Sequence, residues 1–283
     1  MQAHGNSRTH TPHMPHTPRA AGAAEGRGAG EDAHVPGAGG ALAPAGAEDR
    51  KWERLANGVV RRRLPEWDAT VGAVSGDDGA LVIDTGSSLR EGAGIRTDVA
   101  ALLGRRVRWV ALTHPHFDHV FGTAVFSGAQ VYAAVGTAAF LGRHGETLRD
   151  DAVAHGLLED EAAEAADVLP RPHHPVSGQL TLDLGGREVV LVNVGPAHTE
   201  HDLAVLVPGD PDVVFCGDLV EESGEPQAGD DAHPARWPAA LDRLLALGGE
   251  EALYVPGHGA VVDAAFLRAQ REELAQRFAG LDA

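Results

Sequence analysis

The run Thr113-His114-Pro115-His116-Phe117-Asp118-His119 places four metal-binding side chains within six residues, directly behind an apolar segment. Imidazole nitrogens and carboxylate oxygens are ligands that zinc accepts at about 2.0 to 2.2 Å, and one short loop can present several of them. A single histidine among the 16 in this chain would carry little information. Three histidines and an aspartate at a strand end carry more, because each would otherwise need its own partner to offset its burial. The chemistry that this crowding points to is hydrolysis at a bound metal pair.

Three residues downstream belong with this run. Gly195-Pro196-Ala197-His198-Thr199 supplies a histidine in a loop. Cys216-Gly217-Asp218 supplies a carboxylate after the segment Asp212-Val213-Val214-Phe215, and Pro256-Gly257-His258-Gly259 supplies a last histidine after Ala252-Leu253-Tyr254-Val255. Each candidate falls just past an expected strand. Long stretches of chain separate them, so they must meet in space, as loops do outside one edge of a sheet in layered α/β structures.

The order His-x-His-x-Asp-His, Gly-x-x-His, Gly-Asp and Gly-His resembles the metallo-β-lactamase superfamily. The resemblance runs from about Trp52 to the C-terminus and includes Leu81-Val82-Ile83-Asp84-Thr85-Gly86, which is similar to the early strand and aspartate turn of that family. It implies an α/β fold of four layers, an αββα sandwich. It also implies roles: His114, His116 and His198 on a first metal, Asp118, His119 and His258 on a second, and Asp218 bridging the two. The implied cofactor is a pair of zinc ions, with iron or manganese as other divalent choices. Asp118 is the candidate catalytic residue, binding metal and orienting the attacking water or moving its proton. Asp84 and Thr199 are candidates for the groups that receive the outer N–H of ligating histidines, although Asp84 also reads as a turn residue before Gly86.

Two metals about 3.5 to 4 Å apart can share a hydroxide that is nucleophilic at neutral pH, so no serine or cysteine nucleophile is required. The expected activity is therefore hydrolysis of a small ester, thioester, lactone or amide. Branch assignment stops there. Some β-lactamases of the superfamily carry cysteine where Asp218 stands, and acyl-homoserine lactonases typically carry tyrosine three residues later, where this chain has Glu221. Flavodiiron proteins replace the second histidine of the first motif, whereas His116 is present, and Leu219-Val220-Glu221-Glu222-Ser223 does not resemble the corresponding loop of glyoxalase II. Two alternatives stay open within the same superfamily: a persulfide dioxygenase with one iron on His114, His198 and Asp218, and a ribonuclease or phosphodiesterase.

Other residues of the same types take plainer readings. His201 is a bystander, Cys216 a small core hydrophobe, and His173-His174, set among Pro170, Pro172 and Pro175, a surface linker.

Composition narrows the partners. Net charge is 23 − 41 = −18, and no basic stripe is present to neutralise phosphates, so a small neutral or cationic molecule is expected rather than nucleic acid. No apolar run reaches the length of a membrane span. One cysteine leaves no intramolecular disulfide, and the N-terminus has no apolar signal region, so the expected location is the cytoplasm. Residues 1–50, dominated by alanine, glycine and proline, are expected to be a disordered low-complexity tail. Residues 51–283 are expected to form the metallo-β-lactamase-like domain.

The elements that must position the candidates follow from pattern. Val59–Leu64, Ala69–Ser75 and Ala80–Ile83 read as an antiparallel meander, Ile95–Leu103 as a helix, Val107–Leu112 as the strand that delivers the first motif, and Asp118–Phe126 as the helix behind it. Further strands are expected at Leu180–Leu184, Glu188–Val194, Leu203–Val207, Val213–Cys216 and Leu253–Val255, with helices over Trp237–Leu247 and Val262–Phe278. Two segments are candidate covers for the site. Gly136–Pro175 is helix-like, with a solvated acidic face at Glu159-Asp160-Glu161. Val220–Pro238 is an acid-rich loop containing Glu221, Glu222, Glu225, Asp230, Asp231 and His233, read as solvated.

Overall fold

The structure, a computed structural model, describes residues 51–281. The expectation of a disordered tail over residues 1–50 lies outside the described residues.

Strands β1 (Glu53–Ala56), β2 (Val59–Arg63), β3 (Thr70–Ser75) and β4 (Ala80–Ile83) pair antiparallel in sequence order. Helix α1 (Leu89–Leu103) then crosses to β5 (Val107–Ala111), which lies parallel to β4. It starts earlier than its apolar spacing indicates because the Ser88 hydroxyl accepts from the Glu91 N–H and caps it. After the short helix α2 (Phe117–Val120), strands β6 (Gln130–Ala134) and β7 (His174–Val176) complete a seven-stranded sheet. Between them run α3 (Thr137–Leu141), α4 (Gly145–Ala154) and α5 (Glu159–Asp167). The second sheet has five strands in the order β12-β11-β10-β9-β8. These are β8 (Gln179–Asp183), β9 (Glu188–Asn193), β10 (Leu203–Val207), β11 (Val213–Glu221) and β12 (Leu253–His258), with α6 (Trp237–Gly248) before β12 and α7 (Ala264–Arg277) after it.

Alternation along these strands builds three cores and hence four layers. Val59, Leu81, Ile83 and Trp109 of the first sheet meet Leu191, Leu203, Val205 and Phe215 of the second in the middle. Their neighbours Val60, Val82 and Val110 turn outward to Ile95, Val99, Phe121 and Leu148 of the first helical layer. On the far side Val214 and Cys216 face Trp237, Leu241, Leu244 and Leu267. Each fully buried large side chain in these layers contributes about 1.5–3 kcal/mol. The two sheets approach closely at Gly72, where an added Cβ would lie 2.4 Å from the Phe215 ring.

Several elements differ from the sequence expectation. The helix expected over Asp118–Phe126 breaks into α2 and a 3-10 turn, Thr123–Phe126. Between them Gly122 passes so close to Thr85 that a Cβ would sit 2.0 Å from its carbonyl oxygen. The His173-His174 linker is in fact an edge strand: His174 opposes Tyr132 in β7 and its ring stacks on the tyrosine at 4.5 Å. Pro175 is tolerated there because an edge strand need not donate on its open side. The segment 136–175 packs Leu141, Leu148, Leu157 and Ala162 into the first helical layer, so most of it is scaffold. Strands β11 and β12 extend beyond the expected ends, so Asp218 and His258 lie within strands rather than after them. Among the described residues no helix is long and apolar enough to cross a membrane.

Candidate metal centre

The first motif occupies the turn after β5 and the start of α2, His198 the loop between β9 and β10, Asp218 strand β11 and His258 the end of β12. One edge of the sandwich therefore collects all seven residues. Two glycines permit the approach. At Gly257 an added Cβ would lie 1.8 Å from Asp218 Oδ1, and at Gly217, where φ is +55°, it would lie 2.8 Å from the Thr113 side chain.

The side chains fall into two groups. In the first, His198 Nε2 is 3.1 Å from His116 Nδ1, and both His198 Nε2 and His114 Nε2 are 3.5 Å from Asp218 Oδ2. In the second, His258 Nε2 lies 3.4 Å from His119 Nε2 and 3.3 Å from Asp118 Oδ2. Asp218 faces this group too, with Oδ2 3.3 Å from His258 Nε2 and Oδ1 3.2 Å from His119 Nε2.

The outer nitrogen of every one of these imidazoles is anchored on oxygen. Thr113 Oγ1 lies 3.0 Å from His114 Nδ1, Asp231 Oδ2 3.1 Å from His116 Nε2, and Asp84 Oδ2 2.9 Å from His119 Nδ1. The carbonyl of Gln227 lies 3.1 Å from His198 Nδ1 and that of Trp67 2.7 Å from His258 Nδ1. An imidazole that donates outward presents a bare lone pair inward. Inner nitrogens 3.1 to 3.4 Å apart repel unless a proton or a cation lies among them. Buried His114 Nε2 and Asp218 Oδ1 have no hydrogen-bond partner. This donor set of imidazole nitrogens and carboxylate oxygens fits divalent metal ions.

The electrostatics divide the same way. Burial pushes His114 down to about 4 against the pull of Asp218. Burial also drives His198 well down, with Asp218 opposing and the His114 and His116 rings adding to the drop. In the second group burial is outweighed: Asp218 and its fellow carboxylates hold His119 and His258 well above the ordinary imidazole range. Asp118 and Asp218 are held well below theirs by the same rings in spite of burial. The first group thus holds neutral imidazoles, and the second pairs ionised carboxylates with charged imidazoles. His116 is the exception in its group, since burial lowers it but Asp231 lifts it to about 9.

A model of the metallo-beta-lactamase superfamily matches residues 64–258, more than half of the chain. The chain belongs to the metallo-β-lactamase superfamily. A metallo-beta-lactamase type 2 of Bacteroides fragilis is 29% identical over 93 residues, which are 32% of this chain and 37% of that protein. Among solved structures, a metallo-beta-lactamase from Pontibacter korlensis aligns with a TM-score of 0.63 at 21% identity, covering 79% of this chain and 98% of the other. The metallo-beta-lactamase FIM-1 of Pseudomonas aeruginosa in its mono-zinc form aligns with a TM-score of 0.60 at 20% identity, covering 80% and 95%. The αββα sandwich is therefore the fold of this superfamily member.

Within it, Asp84 sits behind His119, in the place sought from sequence. It adopts a positive φ of 58°, a conformation that costs a non-glycine residue about 1–3 kcal/mol. Its carboxylate accepts from the Thr113 N–H at 2.8 Å and the Thr113 hydroxyl at 2.7 Å as well as facing His119. Thr199 differs from expectation. Its hydroxyl and N–H donate to Asp202 rather than meeting a ligating ring, which makes it a brace of the His198 loop. His201 lies outside both groups, near Phe140. Cys216 faces the third core, its thiol pushed up by burial.

Sequence reasoning missed Asp231, the Gln227 and Trp67 carbonyls, and Glu221. The last was read as a solvated loop acid, yet it is 3% exposed and ends β11 beside His258. Burial raises it to about 8, with His258 opposing and Asp218 adding. Both candidate covers contribute to a cavity of about 260 Å³ next to the first group. Phe140 comes from one, Asp230, Asp231 and His233 from the other, and Pro115, Glu200 and His201 are also among the lining residues. No lysine or arginine lines it.

Proposed function

We propose that the protein is a dinuclear metal-dependent hydrolase of small neutral or cationic esters, thioesters, lactones or amides, with residues 51–283 as its catalytic domain in a cytoplasmic setting. One observation carries the reading: five imidazoles, each pinned on oxygen through its outer nitrogen, turn their inner nitrogens toward Asp118 and Asp218 in two adjoining groups. His114, His116 and His198 would hold one ion, Asp118, His119 and His258 the other, and Asp218, facing both groups, would join them. Zinc is the expected metal, with iron or manganese compatible. Two such ions supply a water that is deprotonated near neutral pH and Lewis-acid polarisation of the substrate oxygen.

The chain's own residues supply the rest. Asp118, 8% exposed, is the ionised group placed to orient the attacking water and take up its proton. Asp84 and Asp231 fix the tautomer and angle of His119 and His116. The cavity beside His116 orders the substrate between Phe140 and the carboxylates of Glu200 and Asp230. An acidic wall without lysine or arginine disfavours anionic substrates and welcomes neutral or cationic ones.

A panel of small esters, thioesters, lactones and amides tests this with metal-loaded and chelator-stripped protein. Hydrolysis that vanishes on stripping and returns with zinc is expected. No turnover of any member with two ions bound would overturn the proposal. So would one iron per chain with oxygen consumed on a persulfide, which is the dioxygenase outcome using His114, His198 and Asp218.

A further inference from the structure

Glu221 is a buried carboxylate with nothing to balance one of its oxygens. Its backbone N–H donates to Gln270 Oε1 at 3.1 Å, while its Oε2 has no hydrogen-bond partner. The neighbouring Glu222 is different, since its carboxylate accepts from the Ala260 N–H at the surface. Burying an unpaired carboxylate is costly, and such a group is retained where a cation or a function offsets the cost.

Strand irregularity places it there. In a regular strand residues three apart face opposite sides. Against β12, however, β11 advances from Gly217 to Glu221 while its partner advances only from Pro256 to His258. Bulged pairing of this kind re-aims side chains next to active sites. Carboxylate oxygens of Asp218 and Glu221 and a ring nitrogen of His258 consequently lie within 4.8 Å of one another. Ligands about 2.0–2.2 Å from a shared ion are at most about 4.4 Å apart, a spacing close to the one these three side chains show.

We propose that Glu221 is a further ligand of the second metal position, forming with Asp218 and His258 an oxygen-rich set on its far side. This rests on the two-metal reading above. Such a set suits Mn2+ or Fe2+, which take six ligands with oxygen among them, better than it suits tetrahedral zinc. The first position, with three imidazoles, remains a zinc site. Zinc still outranks manganese in raw affinity at most sites, so the signature of Glu221 is the ratio of the two.

Full-length wild type, Glu221→Gln and Glu221→Asp, stripped by chelator and given one equivalent of zinc, are titrated with Mn2+ while free Mn2+ is followed by its sharp paramagnetic resonance signal. A parallel titration uses Zn2+. The histidines of residues 1–50 contribute equally to all three proteins, so differences belong to the centre. Glu221→Gln is expected to bind the second Mn2+ equivalent at least about tenfold more weakly, the lower end for residues that tune a metal site. Zn2+ should be less affected, and Glu221→Asp should fall between. Mn2+ and Zn2+ weakened equally in both variants would mark a structural role and overturn the proposal. A second Mn2+ equivalent bound as tightly by both variants as by wild type would overturn it while leaving the two-metal reading intact. Wild type that takes up no second equivalent would overturn both.

Discussion

Three imidazoles, from His114, His116 and His198, gather in the group proposed as the first metal position; two imidazoles and Asp118 gather in the one proposed as the second, and the supports behind them differ more than the side chains do. Behind the second position stand Asp84, with a side chain 3% exposed, and the Trp67 carbonyl, both in the first half of the chain. Arg61, itself buried, adds a bond to the Gly259 carbonyl just past His258. Behind the first position stand Asp231, with a side chain 33% exposed, and the Gln227 carbonyl, both in the stretch between β11 and α6. One group is held from the first half of the chain, and the other leans on a surface connection that also lines the adjoining cavity. Loops of this kind open at lower free energy than packed strands, so the first group is the one that loop sequence can tune.

The sharpest way to break this contrast is Asp84→Asn. His119 loses its anionic partner, and Thr113 loses one of the two oxygens that fix the turn before His114. Metal affinity at the second position is expected to drop by about 10–100-fold, as when outer partners of ligating histidines are removed. Competition with a chromogenic chelator measures it. A drop confined to the first position would invert the assignment.

Asp231→Asn is expected to act more weakly and on the first position, by about tenfold at most, because its carboxylate is partly in water. A second readout is available in the metal-free protein. His116 has its pKa raised to about 9, with Asp231 outweighing burial. The contribution of this pair to stability is therefore fully present below about pH 6.5 and is lost as pH rises through about 9. Thermal melting of the metal-free protein between pH 6 and 10 should show a smaller decline for Asp231→Asn than for wild type. Identical declines would mean that the pair does not form.

The part of this arrangement legible in the sequence is the part that metal chemistry dictates. His114, His116, Asp118, His119, His198, Asp218 and His258 stand out because only a few residue types bind zinc, and each falls close behind an expected strand. Asp84 was singled out by its likeness to the family's early strand and aspartate turn, while its place shortly before Gly86 equally suited a plain turn. The outer supports were not. A backbone carbonyl such as that of Gln227 or Trp67 has no residue-type signature, and Asp231 is one acid among several in a loop whose path the sequence does not reveal. Glu221 was hidden because the strand was expected to end at Cys216, which left it in an acid-rich loop, whereas β11 runs on to Glu221 through a mismatched pairing with β12. Strand β7 was hidden by its prolines, which signal a loop except at a sheet edge.

Asp218 is the residue that faces both groups, so metal content of wild type and Asp218→Ala, measured by elemental analysis beside turnover, tests the account most directly. The histidine-rich N-terminal residues contribute alike to both proteins, which leaves the difference to the centre. The account predicts at least one metal equivalent fewer in the variant and turnover reduced by at least about 10²–10³-fold, the scale on which a single electrostatic element of a catalytic site acts. Equal metal and undiminished turnover in Asp218→Ala would contradict it.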